Sequence, residues 1–264
     1  MPCSSNKFLR PGEDTIHNLW HGMKEGFATS FANFVPNQTV TDTMTNIFTP
    51  LRAALSVIAL AAFGLLLTSA SPAFEPQPEL AIGAKAPLAD ALMMNVNGTQ
   101  MSLNTAAGPN GVLVVFSCNT CPFVIGNGEK SDGWEGRYNE TAAFAKENGV
   151  SMVLINSNEA KRDNHDSMQA MKEHAKTNNY GMPYLLDSGH RLADAFGALK
   201  TPHVYLFDNN MTLVYRGAID DNVSDADAVE SHYVQDAISA LAAGKPVSVS
   251  ETKAVGCSIK RVAK

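Results

Sequence analysis

Two cysteines separated by two residues, Cys118-Asn119-Thr120-Cys121, carry the most specific chemistry in the chain. They follow an apolar run, Val112-Leu113-Val114-Val115-Phe116, and Ser117. Thiolate, not thiol, is the attacking species in disulfide exchange, and a second thiol close by resolves the mixed disulfide that forms. If a helix opens at Cys121 or shortly before it, its unpaired N–H groups and dipole stabilise a thiolate at Cys118. The spacing then makes Cys118 the exposed nucleophile and Cys121 the more buried resolving thiol. Other uses of the pair are weaker. A disulfide across two residues closes almost no loop and stabilises little. A structural zinc site needs four ligands, and residues 74–264 offer neither a second close cysteine pair nor a closely spaced histidine pair.

Further candidates lie along the chain. Lys200-Thr201-Pro202-His203 reads either as a turn before a strand or as a cis-proline loop facing the thiols. In the second case the Thr201 backbone is open for pairing with an extended partner peptide. His203 is first an ordinary strand residue. Beside the thiols it tunes a thiolate, or joins Cys118 and Cys121 in a soft Cu(I) site. Glu159 follows Asn156-Ser157-Asn158 at the end of a second apolar run, where α/β proteins place their sites, and is a candidate proton handler. Cys257 is a relay thiol for Cys118, the donor of an intermolecular bridge, or inert. Met168, Met171 and Ala175 recur at helical spacing and read as core rather than as a metal box. Asp220, Asp221 and Asn222 resemble a calcium loop only loosely and read as a cap for the last helix.

The elements that must position these residues alternate between strand and helix. Asn97-Gly98 joins two hairpin arms over 88–96 and 99–103, because both turn positions tolerate positive φ. Residues 112–116 and 150–155 are short continuous apolar runs, as in strands buried on both faces. Residues 122–137 are glycine-rich and irregular. Helices are predicted over 139–147, 163–177 and 191–196, with a terminal helix over 225–243 carrying Asp225 and Asp227 in its first turn. Strands follow at 184–186, 203–207 and 213–215, and residues 246–264 read as an extended tail. The pattern is an α/β layer fold whose last hairpin makes the sheet mixed.

Composition narrows the classes. The chain has 264 residues, a formal net charge of −6, 45 % hydrophobic and 17 % charged residues. That suits a globular core and leaves no basic footprint for nucleic acid. Residues 53–67 are uncharged and apolar, Arg52 precedes them, and Ser71 and Ala73 sit at a small-residue exit. This is a secretory signal pattern with cleavage before Phe74, or an uncleaved membrane anchor if cleavage fails. Met44 gives such a signal a normal start, which makes residues 1–43 an upstream-start extension, disordered where translated apart from a frayed helix over 19–34. The divisions expected are 1–43 extension, 44–73 signal, 74–248 folded domain and 249–264 tail with Cys257. Export to the periplasm or outside the cell brings an oxidising compartment and leaves Cys118, Cys121 and Cys257 in a monomer.

Several segments together resemble a known family. Residues 82–87 (IGAKAP), 97–103 (NGTQMSL), 112–123 (VLVVFSCNTCPF), 183–208 and 213–222 (LVYRGAIDDN) are similar to thioredoxin-fold redoxins of the branch related to alkyl hydroperoxide reductase and thiol-specific antioxidant proteins. The ending ETKAVGCSIK at 251–260 resembles a peroxiredoxin-like, thioredoxin-like subgroup. The resemblance implies a thioredoxin-like fold with a mixed central sheet flanked by helices and an N-terminal β-hairpin extension. It implies a redox-active Cys118–Cys121 disulfide with no other cofactor, and Pro202 as a cis-proline supported by Thr201. Ser117 stands where thioredoxins have Trp, and Val112 where they have a buried acid. The peroxidase signature PxxxTxxC is absent, counting back from either cysteine. The glycine-rich stretch with Trp134 is a partner-recognition loop or a lengthened surface loop. The function expected is an exported thiol–disulfide oxidoreductase acting on protein thiols and disulfides and recharged by an upstream redox partner. A Cu(I) metallochaperone is the alternative and a peroxidase the third option.

Overall fold

The computed structural model describes residues 78–263. The expected signal or anchor at 44–73, the extension 1–43 and Cys3 all lie outside the described residues.

The chain builds β1 (Met93–Asn95), β2 (Gln100–Met101), α1 (Leu103–Ala106), β3 (Gly111–Ser117), α2 (Pro122–Ile125), α3 (Tyr138–Glu147), β4 (Val150–Asn156), α4 (Met168–Thr177), β5 (Tyr184–Leu186), α5 (Arg191–Phe196), β6 (Lys200–Thr201), β7 (His203–Asp208), β8 (Leu213–Gly217), α6 (Tyr233–Ala242) and β9 (Cys257–Ser258). Seven strands form one mixed sheet in the order β2-β1-β5-β4-β3-β7-β8, and β6 pairs separately with β9. The central strands β3, β4 and β5 run parallel, while β7, β8 and the β1–β2 hairpin are antiparallel to their neighbours. This is a thioredoxin-like arrangement with the hairpin added at one edge.

The centre follows from the sequence. Every residue of β3 is buried, because a central strand with helices on both sides has no solvated face. Alternation sorts its side chains into two layers. Leu113 and Val115 join Tyr138 and Ala145 of α3, Met171 of α4 and Ile238 of α6. Val112, Val114 and Phe116 face the other way, toward Leu192 and Phe196 of α5, Leu103 of α1, and Tyr205.

Several element boundaries differ from the sequence-based expectation. The hairpin arms shrink to β1 and β2 around Gly98 (φ 89°), because Ser102 caps a short helix instead of continuing a strand. The Ser102 hydroxyl accepts from the Thr105 amide, and the Thr105 hydroxyl accepts from the Ser102 amide. Helix α4 starts at Met168 rather than 163, because Ser167 is its N-cap and accepts from the Ala170 N–H at 3.1 Å. Helix α6 starts at Tyr233, so Asp225 and Asp227 lie in a loop of side-chain turns rather than in a helical first turn. Met171 and Ala175 are buried core, as their spacing implies. Trp134 is buried and donates its Nε1–H to Asp220 at 2.7 Å, with Asp220 also paired to Arg137. Asp220 therefore clamps the glycine-rich loop to the core rather than capping the last helix. Among the described residues no helix is long and apolar enough to cross a membrane.

Candidate active site

Strand β3 ends at Ser117 and delivers Cys118 beyond the edge of the sheet. Its antiparallel neighbour β7 begins opposite, with Phe116 registered against His203. The loop that enters β7 therefore crosses in front of the two cysteines. The Thr201–Pro202 peptide bond in that loop is cis. Cys118 Sγ lies 3.3 Å from the Thr201 hydroxyl, and the Cys121 thiol donates to the Thr201 carbonyl at 3.0 Å.

The helix after the motif opens at Pro122, with Cys121 as its extended N-cap residue. Proline suits the first helical position because the N–H it lacks has no partner there. Cys121, not Cys118, therefore sits where the chain turns into the helix. Burial does not separate the two thiols, with Cys118 2 % exposed and Cys121 3 %. This corrects the expectation of an exposed Cys118 and a more buried Cys121.

Their thiols titrate as one coupled pair. The closeness of the two sulfurs is the largest influence on both, lowering the first ionisation to about 5 and pushing the second well above the ordinary thiol range, where burial adds to it. The Cys257 thiol and N–H and the Phe123 N–H favour the thiolate from the Cys121 side. The Cys121 thiol donates to the Thr201 carbonyl, which leaves the Thr201 hydroxyl facing Cys118 Sγ.

Asn119 of the motif is fixed from below by a buried polar network that the sequence did not announce. Asp166 is fully buried. It accepts from the Asn119 N–H at 3.0 Å, Asn156 Nδ2 at 2.7 Å and Asn158 Nδ2 at 3.1 Å. Asn119 Nδ2 donates to the His165 carbonyl, and its Oδ1 accepts from the Tyr184 hydroxyl at 2.8 Å. Burial holds the Tyr184 phenol protonated, so it remains a donor. Ser117, where thioredoxins have Trp, instead exchanges a hydrogen bond with the buried Tyr138 hydroxyl at 3.0 Å. Val112 is fully buried in the opposite layer, so no acid reaches the thiols from that position.

His203 does not reach the thiols. It shares its strand face with Tyr205, stacks against that ring at 4.6 Å and meets the Tyr205 hydroxyl through Nδ1 at 3.3 Å. Cys118 and Cys121 belong to the other layer, with Val204 and Leu206. Burial and the nearby Arg216 hold His203 neutral, down to about 3. The proposed copper set of Cys118, Cys121 and His203 is therefore split by the sheet. Among the described residues no group of three or more His, Cys, Asp or Glu side chains is placed to hold a metal ion. Glu159 is committed elsewhere, accepting from the Gly189 N–H at 2.9 Å and pairing with Arg162. The acid beneath the motif is Asp166, not Glu159.

Cys257 is brought in from the tail. Strand β9 pairs antiparallel with β6, placing Cys257 opposite Thr201 and Ser258 opposite Lys200. The Thr201 edge expected to be open for a partner peptide is thus occupied by the chain's own tail.

A family model described as Redoxin matches residues 81–229, which is more than half of the chain. No curated protein matches the chain. The fold is similar to the crystal structure of an uncharacterized conserved protein from Geobacillus kaustophilus, with 31 % identity over 70 % of this chain and 94 % of that one, at a TM-score of 0.62. It is also similar to the hypothetical protein SMc02350 from Sinorhizobium meliloti 1021, with 27 % identity over 71 % of this chain and 98 % of that one, at a TM-score of 0.58. With the family model spanning the sheet, both cysteines and the cis-proline loop, the chain belongs to the Redoxin family.

Proposed function

We propose that the chain is an exported thiol–disulfide oxidoreductase that acts on protein thiols and disulfides through Cys118 and Cys121. The observation that carries this reading is the pair itself, both sulfurs against Thr201, with Cys118 Sγ at its hydroxyl and the Cys121 thiol donating to its carbonyl. In the reducing direction Cys118, as the thiolate, attacks a partner disulfide. One partner sulfur bonds to Cys118 and the other leaves as a thiolate. Cys121 then attacks Cys118 Sγ, the mixed disulfide breaks, and the second partner thiolate leaves. Two electrons have passed to the partner and a Cys118–Cys121 disulfide remains, which an upstream redox partner reduces. The oxidising direction is the same sequence reversed.

The test is trapping. Cys118→Ser abolishes reduction of insulin disulfides, and a variant with both Cys121→Ser and Cys257→Ser accumulates a mixed disulfide on Cys118. Full activity of Cys118→Ser would overturn the reading. Peroxide reduction is the second reading, favoured by the thiolate that the pair carries. The position three before Cys121, where the peroxidase signature has Thr, is Cys118 itself. Consumption of hydrogen peroxide by the reduced protein, faster than insulin reduction, would place the second reading first.

A further inference from the structure

We propose that Cys257 is a third redox residue of this site, exchanging into the disulfide to give a Cys121–Cys257 bond that fastens the tail over the Thr201 edge. The inference rests on the oxidoreductase reading above and extends it.

Five observations converge on Cys257. Its strand is registered directly on Thr201, the residue both catalytic thiols touch. Its side chain packs against the core cluster that contains Cys118 and Cys121, close enough for its thiol and N–H to favour the Cys121 thiolate. The approach is close by construction, since a Cβ on Gly256 would stand 2.3 Å from the Thr201 carbonyl oxygen. Only glycine lets the tail lie that near. The position is also held from the far side. Ile259 is buried, its N–H donates to the Leu199 carbonyl at 3.0 Å, and the Lys260 N–H donates to Asn158 Oδ1 at 2.8 Å. Asn158 in turn donates to Asp166, so the tail and the Cys118–Cys121 loop hang from one carboxylate. Cys257 is also the most accessible of the three thiols, half-buried where the other two are buried.

The step balances without an outside reagent. Starting from the Cys118–Cys121 disulfide, the Cys257 thiolate attacks Cys121 Sγ. A Cys257–Cys121 bond forms and the Cys118–Cys121 bond breaks. The electron pair stays on Cys118, which takes up the proton Cys257 released. Cys121 is the pivot, because it is the sulfur in contact with both of the others.

The test is disulfide mapping of the full chain, equilibrated in glutathione buffers, acid-quenched and digested. The single variant Cys118→Ser is expected to form an intramolecular Cys121–Cys257 linkage, and partially oxidised wild type to contain both linkages. If Cys118→Ser instead carries glutathione on Cys121 with Cys257 open to alkylation, the proposal is overturned. The wild-type map decides should that variant fail to fold, because a Cys118–Cys121 linkage alone at every potential, with Cys257 free, also overturns it. Failure of the underlying reading has a different signature, namely wild type that forms no Cys118–Cys121 linkage and reduces no insulin.

Discussion

The coupled ionisation of the two motif thiols gives the most decisive prediction. The first ionisation of the coupled pair falls at about 5, so the reduced pair carries one thiolate at neutral pH. The largest support for that thiolate is the hydrogen bond between the two sulfurs. A hydrogen bond to a charged group contributes about 1.5–3 kcal/mol. Dividing by about 1.4 kcal/mol per pKa unit, Cys118→Ala raises the Cys121 titration by about one to two units. Cys118→Ser keeps a hydroxyl donor at the same place and shifts it less. The assay is the ultraviolet absorbance of thiolate against pH in the fully reduced protein. Wild type is expected to show one thiolate appearing near pH 5, well separated from the rest, because Cys257 is pushed up to about 11 by burial and by its Cys121 neighbour. A first inflection in the ordinary thiol range, or a Cys118→Ala curve that overlays wild type, refutes the coupling between the two motif thiols.

Three further outcomes follow from the same geometry. With one thiolate on the pair and the other thiols protonated between about pH 5 and 9, reducing the disulfide takes up one proton per two electrons, so the midpoint potential falls by about 30 mV per pH unit; protein-film or glutathione titration reads this, and a slope of twice that removes the thiolate. Asp166→Asn replaces one of two accepting oxygens with an amide donor that faces an Asn119 or Asn158 donor and costs about 1–3 kcal/mol in chemical denaturation, with faster amide exchange at Asn119; unchanged exchange would show that Asp166 does not anchor the motif. Gly256→Ala forces a methyl against the Thr201 carbonyl, costs about 1–3 kcal/mol and raises amide exchange across residues 257–260, whereas protection equal to wild type would mean the tail is held without that approach.

What the sequence made legible was the part governed by local pattern. The runs through Val112–Phe116 and Val150–Ile155 are apolar without interruption, and only a strand covered on both faces uses such a run. The double-cysteine spacing and the proline before β7 identified the site loops. The placement of His203 was also within reach of alternation, since it shares parity with Tyr205 and Phe207, which pack in the layer away from the thiols. Other features were not local. The role of Asp166 depends on contacts with Asn119, Asn156 and Asn158, while its own neighbours read as a helix beginning. A two-residue strand such as β9 has no periodicity at all, and its position comes from pairing with a segment far away in sequence.

That last feature bears on the order in which the protein is made. The strand that closes the site comes from residues 257–258, which leave the ribosome after every strand of the main sheet and every helix described above. The strands of the sheet, the Pro202 loop and both motif thiols are therefore synthesised before their cover exists. Through that interval Cys118 and Cys121 meet whatever thiol chemistry surrounds the growing chain, without the tail across Thr201.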